Sequence, residues 1–139
     1  MKVVIDTNIL LISLPSQSPY HEILKAFNQK LYQLIITTAI FLEYEEILSE
    51  RANALVANNV LAAFIEASNV VSVNTYYNWN LITVDPDDNK FTDAYISGNA
   101  DYLVTHDSHF IILKKKQFPK VNIISADNFL IILKELRKV

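Results

Sequence analysis

Cysteine is absent from this chain of 139 residues, which removes several classes of protein from consideration. Without cysteine there is no disulfide framework, no thiolate ligand for a metal ion and no cysteine nucleophile. The absence suits the reducing cytosol, and we therefore expect a cytoplasmic protein.

Glycine and long apolar runs are also scarce. The only glycine is Gly98, which excludes the glycine-rich loops that surround nucleotide phosphates. The longest apolar runs are short pieces such as Phe129–Leu133, well below the roughly 18 residues that span a bilayer. The apolar N-terminus is interrupted by Asp6 and Asn8 and lacks the cleavage site of a signal peptide. We therefore expect a soluble protein that does not enter a membrane.

Positive charge does not predominate, because the net charge is −3. This balance argues against nucleic-acid binding by bulk electrostatics, which normally requires a basic surface. The basic residues are nevertheless concentrated late in the chain, at Lys114, Lys115, Lys116, Lys120, Lys134, Arg137 and Lys138. One positive face beside an acidic pocket is compatible with this distribution, and a solvated rim is the alternative explanation.

The residues that are present predict one densely packed domain over residues 1–139. Hydrophobic residues make up 51% of the chain, and a domain of this length buries roughly two-thirds of its unfolded surface. Strand patterns alternate with helix patterns, which predicts a three-layer α/β/α sandwich around a mainly parallel sheet. The predicted strands are Lys2–Ile5, Leu34–Thr37, Val70–Val73, Tyr102–Thr105 and Val121–Ser125. The predicted helices are Tyr20–Leu34, Thr38–Glu50, Ala54–Ala67, Phe91–Asn99 and one that begins near Ala126.

Two carboxylates directly follow predicted strands. Asp6 ends the first strand and Asp107 follows the fourth, and in open parallel sheets functional groups gather at these carboxyl ends. Each residue taken alone is also explained as a helix N-cap. Their joint occurrence favours a site, because a single cap does not require a second carboxylate at another strand end.

Two further acids lie on predicted helices. Glu43 falls on the apolar side of its helix, one turn before Ile47, where an unpaired carboxylate is costly to bury. Its alternative explanation is a salt-bridged or solvent-reaching acid. Asp93 lies in the first turn of its helix, where the helix dipole also favours a negative charge. The neighbouring acids Asp85, Asp87 and Asp88 are interpreted as turn and capping residues, with Asp88 able to reach the rim of a site.

Carboxylates that converge without matching lysines or arginines repel one another, and a hard divalent cation relieves the repulsion. Oxygen ligands with room for water and phosphate suit Mg²⁺ or Mn²⁺ and phosphodiester hydrolysis. The three histidines lack a metal-ligand spacing. His106 and His109 flank Asp107, which makes contact with substrate a minor possibility for both.

Three segments carry a resemblance, Val3–Leu10, Glu43–Leu48 and Asp85–Asp107, and their order and spacing extend over most of the chain. Together they resemble the PIN-domain family, and within it the branch of VapC-like ribonucleases that are the toxins of toxin–antitoxin pairs. The resemblance implies hydrolysis of RNA with Mg²⁺ or Mn²⁺, a protein antitoxin as partner, and a homodimer.

The resemblance also implies roles for individual residues. Asp6, Glu43, Asp93 and Asp107 match the metal-binding acids of the family, and Asn8 and Thr105 match polar residues that support the site. His106 departs from the pattern, because this branch commonly has glycine before the last aspartate. A side chain at that position is expected to alter metal geometry or access of substrate.

Two rival functions remain open at this point. A phosphohydrolase that uses Asp6 as a covalent nucleophile would require a second aspartate two residues later, where Asn8 stands. A non-catalytic module that binds RNA or a protein partner would fit the acidic net charge, but it gives no reason for all four carboxylates. Hydrolysis by water, the favoured reaction, would leave 5′-phosphate and 3′-hydroxyl ends.

Overall fold

Five parallel strands form one sheet in the computed structural model of the chain, which describes residues 1–138. The strands are β1 (Lys2–Ile5), β2 (Gln33–Ile36), β3 (Val70–Ser72), β4 (Tyr102–Val104) and β5 (Ile123–Ile124), in the order β3-β2-β1-β4-β5. All four neighbouring pairs are parallel, as the sequence predicts. In β1, consecutive residues point to opposite faces of the sheet, and Val3, Val4 and Ile5 are all buried. Both faces of the sheet are therefore covered, which confirms the three-layer sandwich.

The helices connect the strands and cover the sheet. They are α1 (Thr7–Ser13), α2 (His21–Asn28), α3 (Thr38–Arg51), α4 (Ala54–Glu66), α5 (Asn89–Ser97) and α6 (Ala126–Arg137). The chain also forms two 3-10 helical segments, Pro86–Asp88 and Ser108–Lys115. Most predicted elements are present with ends shifted by one or two residues. Helix α1 and the segment Ser108–Lys115 were not predicted as elements.

The largest difference from the predicted elements concerns α2, which was expected to continue from Tyr20 to Leu34. It ends at Asn28, because Lys30 has a φ of 59° in the left-handed region and turns the chain out of the helix. Leu34 instead pairs with Val3 in the sheet. An apolar pattern that crosses from a helix into a buried strand hides the boundary between them.

Helix α3 is capped by the residue that precedes it, whereas its sequence also offers Thr38 as a cap. The hydroxyl of Thr37, not that of Thr38, accepts a hydrogen bond from the backbone N–H of Ile40 at 3.1 Å. Thr37 is buried directly after β2, so the cap fixes the point at which the chain leaves the sheet and enters the helix. This rigid exit places Glu43 near the carboxyl ends of the strands.

The C-terminal end of α5 lies against β2. A Cβ atom at Gly98 would lie 2.6 Å from Cδ1 of Ile35, so the single glycine allows the helix end to approach the strand closely. Asn99, and not Gly98, takes the left-handed conformation that ends the helix, with a φ of 52°.

The segment Tyr76–Val84, whose sequence is ambiguous, contains no helix or strand. It is held by the buried side chain of Asn89 at the start of α5. The backbone N–H of Ile82 donates to Oδ1 of Asn89 at 2.8 Å, and Nδ2 of Asn89 donates to the carbonyl of Ile82 at 2.9 Å. The segment is thereby fixed to α5 despite its lack of regular structure.

The strand order creates a switch point between β1 and β4. From β1 the chain runs outward through β2 to β3, and it then crosses to β4 and β5 on the other side. Ligands of open parallel sheets bind outside the carboxyl ends of the strands at such a point. Asp6 and Thr105, the residues that directly follow β1 and β4, lie at this position.

Within residues 1–138, no helix is both long enough and apolar enough to cross a bilayer.

We predict that Tyr44→Phe lowers the free energy of unfolding by about 1–2 kcal/mol. The buried hydroxyl of Tyr44 on α3 donates to the carbonyl of Ile5 at 2.5 Å, and the substitution leaves that buried carbonyl without this donor. Urea denaturation measures the change. Tyr76→Phe is the control, because the Tyr76 side chain is 91% exposed and its loss should change stability little. Equal stability of Tyr44→Phe and the wild type would contradict the prediction.

Candidate active site

Asp6 is a buried carboxylate at the carboxyl end of β1. Its Oδ2 accepts a hydrogen bond from the hydroxyl of Thr105 at 2.7 Å, and its backbone N–H donates to the carbonyl of Val104 at 3.0 Å. Asp6 occupies the N-cap position of α1, but its side chain makes no capping hydrogen bond. The capping explanation therefore fails for Asp6. Thr105, which was predicted to support the site, contacts its carboxylate.

Asp107 follows the same strand end as Thr105. The Thr105 hydroxyl accepts from the backbone N–H of Asp107 at 3.0 Å, so a single hydroxyl connects Asp6 to the Asp107 backbone. Oδ1 of Asp107 accepts from the backbone N–H of His109 at 2.9 Å and caps the 3-10 segment. Capping therefore accounts for one of the two oxygens of Asp107.

Glu43 is paired with a lysine that the sequence prediction did not include. Oε1 of Glu43 lies 2.8 Å from Nζ of Lys90, which also lies 3.1 Å from Oδ1 of Asp87. The other oxygen of Glu43, Oε2, accepts a short hydrogen bond from the buried hydroxyl of Thr7. The expectation that the acids converge without a matching cation was therefore wrong. The salt-bridge explanation for Glu43 is correct, and it coexists with a position in the cluster.

Lys90 remains charged in this arrangement. Burial lowers the pKa of Lys90, but the hydrogen bonds and charges of Glu43 and Asp87 outweigh burial, and the net pKa is raised. Its sequence separation from Glu43 is 47 residues, so no local pattern announces the pair.

Asp88 and His109 form a second pair beside Asp107. Nδ1 of His109 lies 3.1 Å from Oδ2 of Asp88 and 3.4 Å from Oδ1 of Asp107. The hydrogen bond in which Asp88 accepts from His109 raises the pKa of His109, and burial opposes this effect. Asp88 stands at the N-cap position of α5 without a side-chain cap hydrogen bond, so the predicted capping role is absent.

The charges around Asp6 define the acidic cluster, by which we mean Asp6, Glu43, Asp88 and Asp107. The pKa of Asp6 is raised to about 6. Burial is the largest cause, the Thr105 hydrogen bond acts in the opposite direction, and the charges of Asp88, Asp107 and Glu43 add to the effect of burial. The pKa of Asp88 is raised as well. Burial is the largest cause, the hydrogen bond with His109 lowers this pKa, and the charge of Asp107 raises it. Four carboxylates thus share one edge of the sheet.

Asp93, predicted as the fourth ligand, has a different environment. Its Oδ1 accepts from the backbone N–H of Trp79 at 3.1 Å, and Asp93 is not among the charges that raise the pKa of Asp6. Burial raises the pKa of Asp93, and the Trp79 hydrogen bond lowers it. The acids that act electrostatically on Asp6 include Asp88, which the sequence prediction did not count among the ligands. The recorded contact of Asp93 secures the segment before α5.

Two other candidate residues have environments that differ from those of the four acids. Nε2 of His106 accepts from the backbone N–H of Ala126 at 3.0 Å, and its ring meets the ring of Tyr20 edge-on with centroids 6.1 Å apart. His106 therefore contacts the start of α6. Asn8 is exposed on the first turn of α1, whereas its neighbour Thr7 is buried and contacts Glu43. Of the two histidines beside Asp107, only His109 faces the acids.

The donor set fits a hard divalent cation. The cluster supplies carboxylate oxygens, the ligands that Mg²⁺ and Mn²⁺ prefer. The pKa of Asp6 is raised first by burial and then by the neighbouring acids, and a cation would oppose both effects. At the outer side, one atom each of Asp85, Asp88 and His109 lie within 4.8 Å of one another. A histidine nitrogen in that group is a feature the oxygen-only prediction did not contain.

The fold and the cluster together define a three-layer α/β/α protein with an acidic site at the switch point of a parallel sheet. The family model of the PIN domain matches residues 2–109, and the chain belongs to the PIN-domain family. This finding confirms the resemblance seen in the sequence. No curated protein matches the chain.

Two solved structures share the fold. A chain of VapBC2 from Rickettsia felis, crystallised with a DNA fragment from their promoter, aligns with a TM-score of 0.59 and 15% identity, over 90% of this chain and 98% of that chain. VapC20 from Mycobacterium tuberculosis, a sarcin-ricin loop cleaving toxin, aligns with a TM-score of 0.58 and 11% identity, over 79% of this chain and 93% of that chain. At these identities the likeness establishes the fold.

We predict that Asp6→Asn stabilises the protein in EDTA at pH 7.5. Because the folded-state pKa of Asp6 is raised from 3.8 to about 6, ionisation of Asp6 weakens the fold as pH rises through that interval. A shift of this size corresponds to about 3 kcal/mol, which asparagine removes while its amide oxygen still accepts from Thr105. The variant should unfold at higher urea concentration than the wild type at pH 7.5, and the difference should vanish near pH 4.

Asp127→Asn is the control for this measurement, because Asp127 is an exposed aspartate outside the cluster. It should show no comparable gain at pH 7.5. A lower stability of Asp6→Asn than of the wild type at pH 7.5 in EDTA would contradict the electrostatic account of the cluster.

Proposed function

We propose that the protein is a divalent-metal-dependent endoribonuclease and that it is the toxin of a toxin–antitoxin pair. The observation that carries the proposal is the buried carboxylate of Asp6, whose pKa is raised by burial and by the charges of Asp88, Asp107 and Glu43. A structural protein has no reason to concentrate these acids at the switch point of its sheet. The PIN-domain family match and the two VapC-type structural neighbours support the same reading.

The ligands of the cation would come from the acidic cluster. Asp6, Asp88 and Asp107 offer carboxylate oxygens, and Glu43 completes the set from α3. We propose Asp88 in place of Asp93, because Asp88 acts electrostatically on Asp6 and Asp93 is hydrogen bonded elsewhere. A bound Mg²⁺ or Mn²⁺ would neutralise the carboxylates, stabilise charge on the phosphate and make water nucleophilic at neutral pH.

The neighbouring residues hold these acids in place. The Thr105 hydroxyl orients Asp6, the Thr7 hydroxyl and Lys90 orient Glu43, and His109 bridges Asp88 and Asp107. Such outer contacts fix the direction of ligand oxygens. Lys90 also offers a positive charge beside the cluster, where a phosphodiester would bring negative charge.

Neither rival function has comparable support. A covalent phosphohydrolase lacks its second acid, because Asn8 is exposed and uncharged. A non-catalytic binding module gives no account of an acidic cluster that costs folding free energy. A protein antitoxin, an RNA substrate, a cytoplasmic location and a homodimer are part of the proposal, and the homodimer stays a prediction that light scattering would test.

We predict that the purified protein cleaves single-stranded RNA only when Mg²⁺ or Mn²⁺ is added. EDTA should abolish cleavage, because oxygen ligands need a hard cation to act on a phosphodiester. Gel analysis with end-specific enzymes should find 5′-phosphate ends. Cleavage in excess EDTA, or 2′,3′-cyclic phosphate ends, would refute the metal-dependent reaction. A full absence of cleavage on a mixed RNA library would favour the non-catalytic module.

The same substitution at two aspartates of one region separates the two ligand sets. Asp88→Asn should reduce cleavage at least about a hundredfold, because it removes a negative charge next to Asp6 and a proposed carboxylate ligand of the cation. Asp93→Asn should reduce it far less, because the amide oxygen can still accept from Trp79. Mn²⁺ binding by calorimetry should follow the same order. A greater loss for Asp93→Asn in both measurements would return Asp93 to the ligand set.

A further inference from the structure

Three aromatic side chains from two distant segments form an exposed group that the acidic cluster does not use. The rings of Tyr77 and Trp79 meet edge-on with centroids 4.9 Å apart, and those of Trp79 and Phe118 do so at 6.0 Å. Phe118 is 83% exposed and Tyr77 is 64% exposed. We call Tyr77, Trp79 and Phe118 the aromatic platform. Such a contiguous aromatic surface is costly to leave in water and marks a binding site.

The chemistry around the aromatic platform is basic and polar. Between Ser108 and Ala126 the chain has four lysines and no acidic residue, and Lys116 and Lys120 stand two residues on either side of Phe118. All four lysines are exposed. On the other segment, Thr75–Val84 carries no charge, and the exposed residues Asn78 and Asn80 stand on either side of Trp79 in the chain. Part of the late basic stretch noted in the sequence thus flanks Phe118 along the chain.

The aromatic platform is attached to the helix that begins beside the acidic cluster. The backbone N–H of Trp79 donates to Asp93 of α5, and Ile82 is held by Asn89 at the start of that helix. Asp88 directly precedes α5, and five residues of helix correspond to a rise of about 7.5 Å. The Trp79 anchor therefore lies little more than one helical turn from an acid of the cluster.

We propose that the aromatic platform binds unpaired nucleobases of single-stranded RNA and thereby positions the strand for the acidic cluster; the inference rests on the function proposed above. Aromatic rings stack on bases of any sequence, lysines neutralise the phosphates that connect them, and asparagine amides hydrogen bond with base edges. A surface for an acidic peptide would use the lysines but would not need the two exposed rings of Tyr77 and Phe118 beside the half-buried ring of Trp79. The combination of rings, amides and cations favours RNA.

Trp79 is the only tryptophan of the chain, so its fluorescence reports on the aromatic platform alone. The experiment titrates the protein in EDTA with a single-stranded RNA of about 12 nucleotides, a length within the range of known single-strand sites. Stacking of a base should quench the fluorescence in a saturable manner. Duplex RNA of the same sequence should quench less, because its bases are already stacked. Unchanged fluorescence at saturating RNA would overturn the proposal.

Substitutions of Phe118 separate stacking from general apolar contact. With fluorescently labelled RNA, Phe118→Leu should weaken binding about tenfold, because leucine is apolar but has no π face. Phe118→Tyr should retain the affinity within about twofold, since it keeps the ring. Ile65→Ala is the matched control, because Ile65 is 73% exposed on α4 and outside the aromatic platform. If Phe118→Leu binds RNA as tightly as the wild type, the rings serve another partner and the proposal fails.

The lysines have a separate signature. The double variant Lys116→Gln and Lys120→Gln should reduce the slope of log affinity against log salt by about 1.4, because each lost phosphate contact on a single strand contributes about 0.7. An unchanged slope would remove these lysines from the proposed RNA path.

These measurements distinguish failure of the aromatic platform from failure of the proposed enzyme. Binding is measured in EDTA, where no metal-dependent cleavage occurs. If RNA quenches Trp79 but is never cleaved with Mg²⁺ or Mn²⁺, the nuclease proposal fails and the aromatic platform stands. If RNA is cleaved without quenching and Phe118→Leu binds normally, the nuclease stands and the aromatic platform fails.

Discussion

The carboxylate of Asp6 is buried at the centre of the sheet edge, where its ionisation costs folding free energy, and the surrounding structure accommodates that cost. Strand β1 carries Asp6 there because Val3, Val4 and Ile5 are buried on both faces and occupy the middle of the sheet. The hydroxyl of Thr105 stabilises the charge, but burial and neighbouring acids dominate and raise the pKa to about 6. The ionised carboxylate of Asp6 therefore contributes an unfavourable electrostatic free energy to the fold, which a bound cation would reduce.

Partial compensation of charge distinguishes this cluster from a bare group of acids. Lys90 pairs with Glu43, and His109 contacts Asp88 and Asp107, so positive groups lie on the periphery. Asp6, the most buried acid, receives only a hydroxyl. The carboxylate of Asp6 therefore lacks a positively charged partner among the described residues. A small cation would fit in the interior of the cluster better than a lysine side chain.

Asp88 and Asp93 lie five residues apart, and their side chains have different partners. Asp88 takes part in the charge balance of the cluster, whereas Asp93 accepts a hydrogen bond from Trp79 and holds the aromatic segment onto α5. One short helix thereby connects the acidic cluster with the proposed surface for RNA bases. A carboxylate buried near a site is not for that reason part of its chemistry, since a backbone N–H is a sufficient partner for it.

Local patterns in the sequence are sufficient to predict the fold class and to place Asp6 and Asp107 at the ends of strands. A buried strand that ends in Asp6, a second that ends in Thr105 and Asp107, and parallel pairing place these residues at one edge of the sheet. Which other side chains reach that edge is visible only in the folded chain. The pair Lys90–Glu43 and the contact between Trp79 and Phe118 join residues distant in the chain, and such contacts leave no periodic signal. The choice between Asp88 and Asp93, and between His109 and His106, depended on the direction in which each side chain leaves its backbone, which only the packed elements fix.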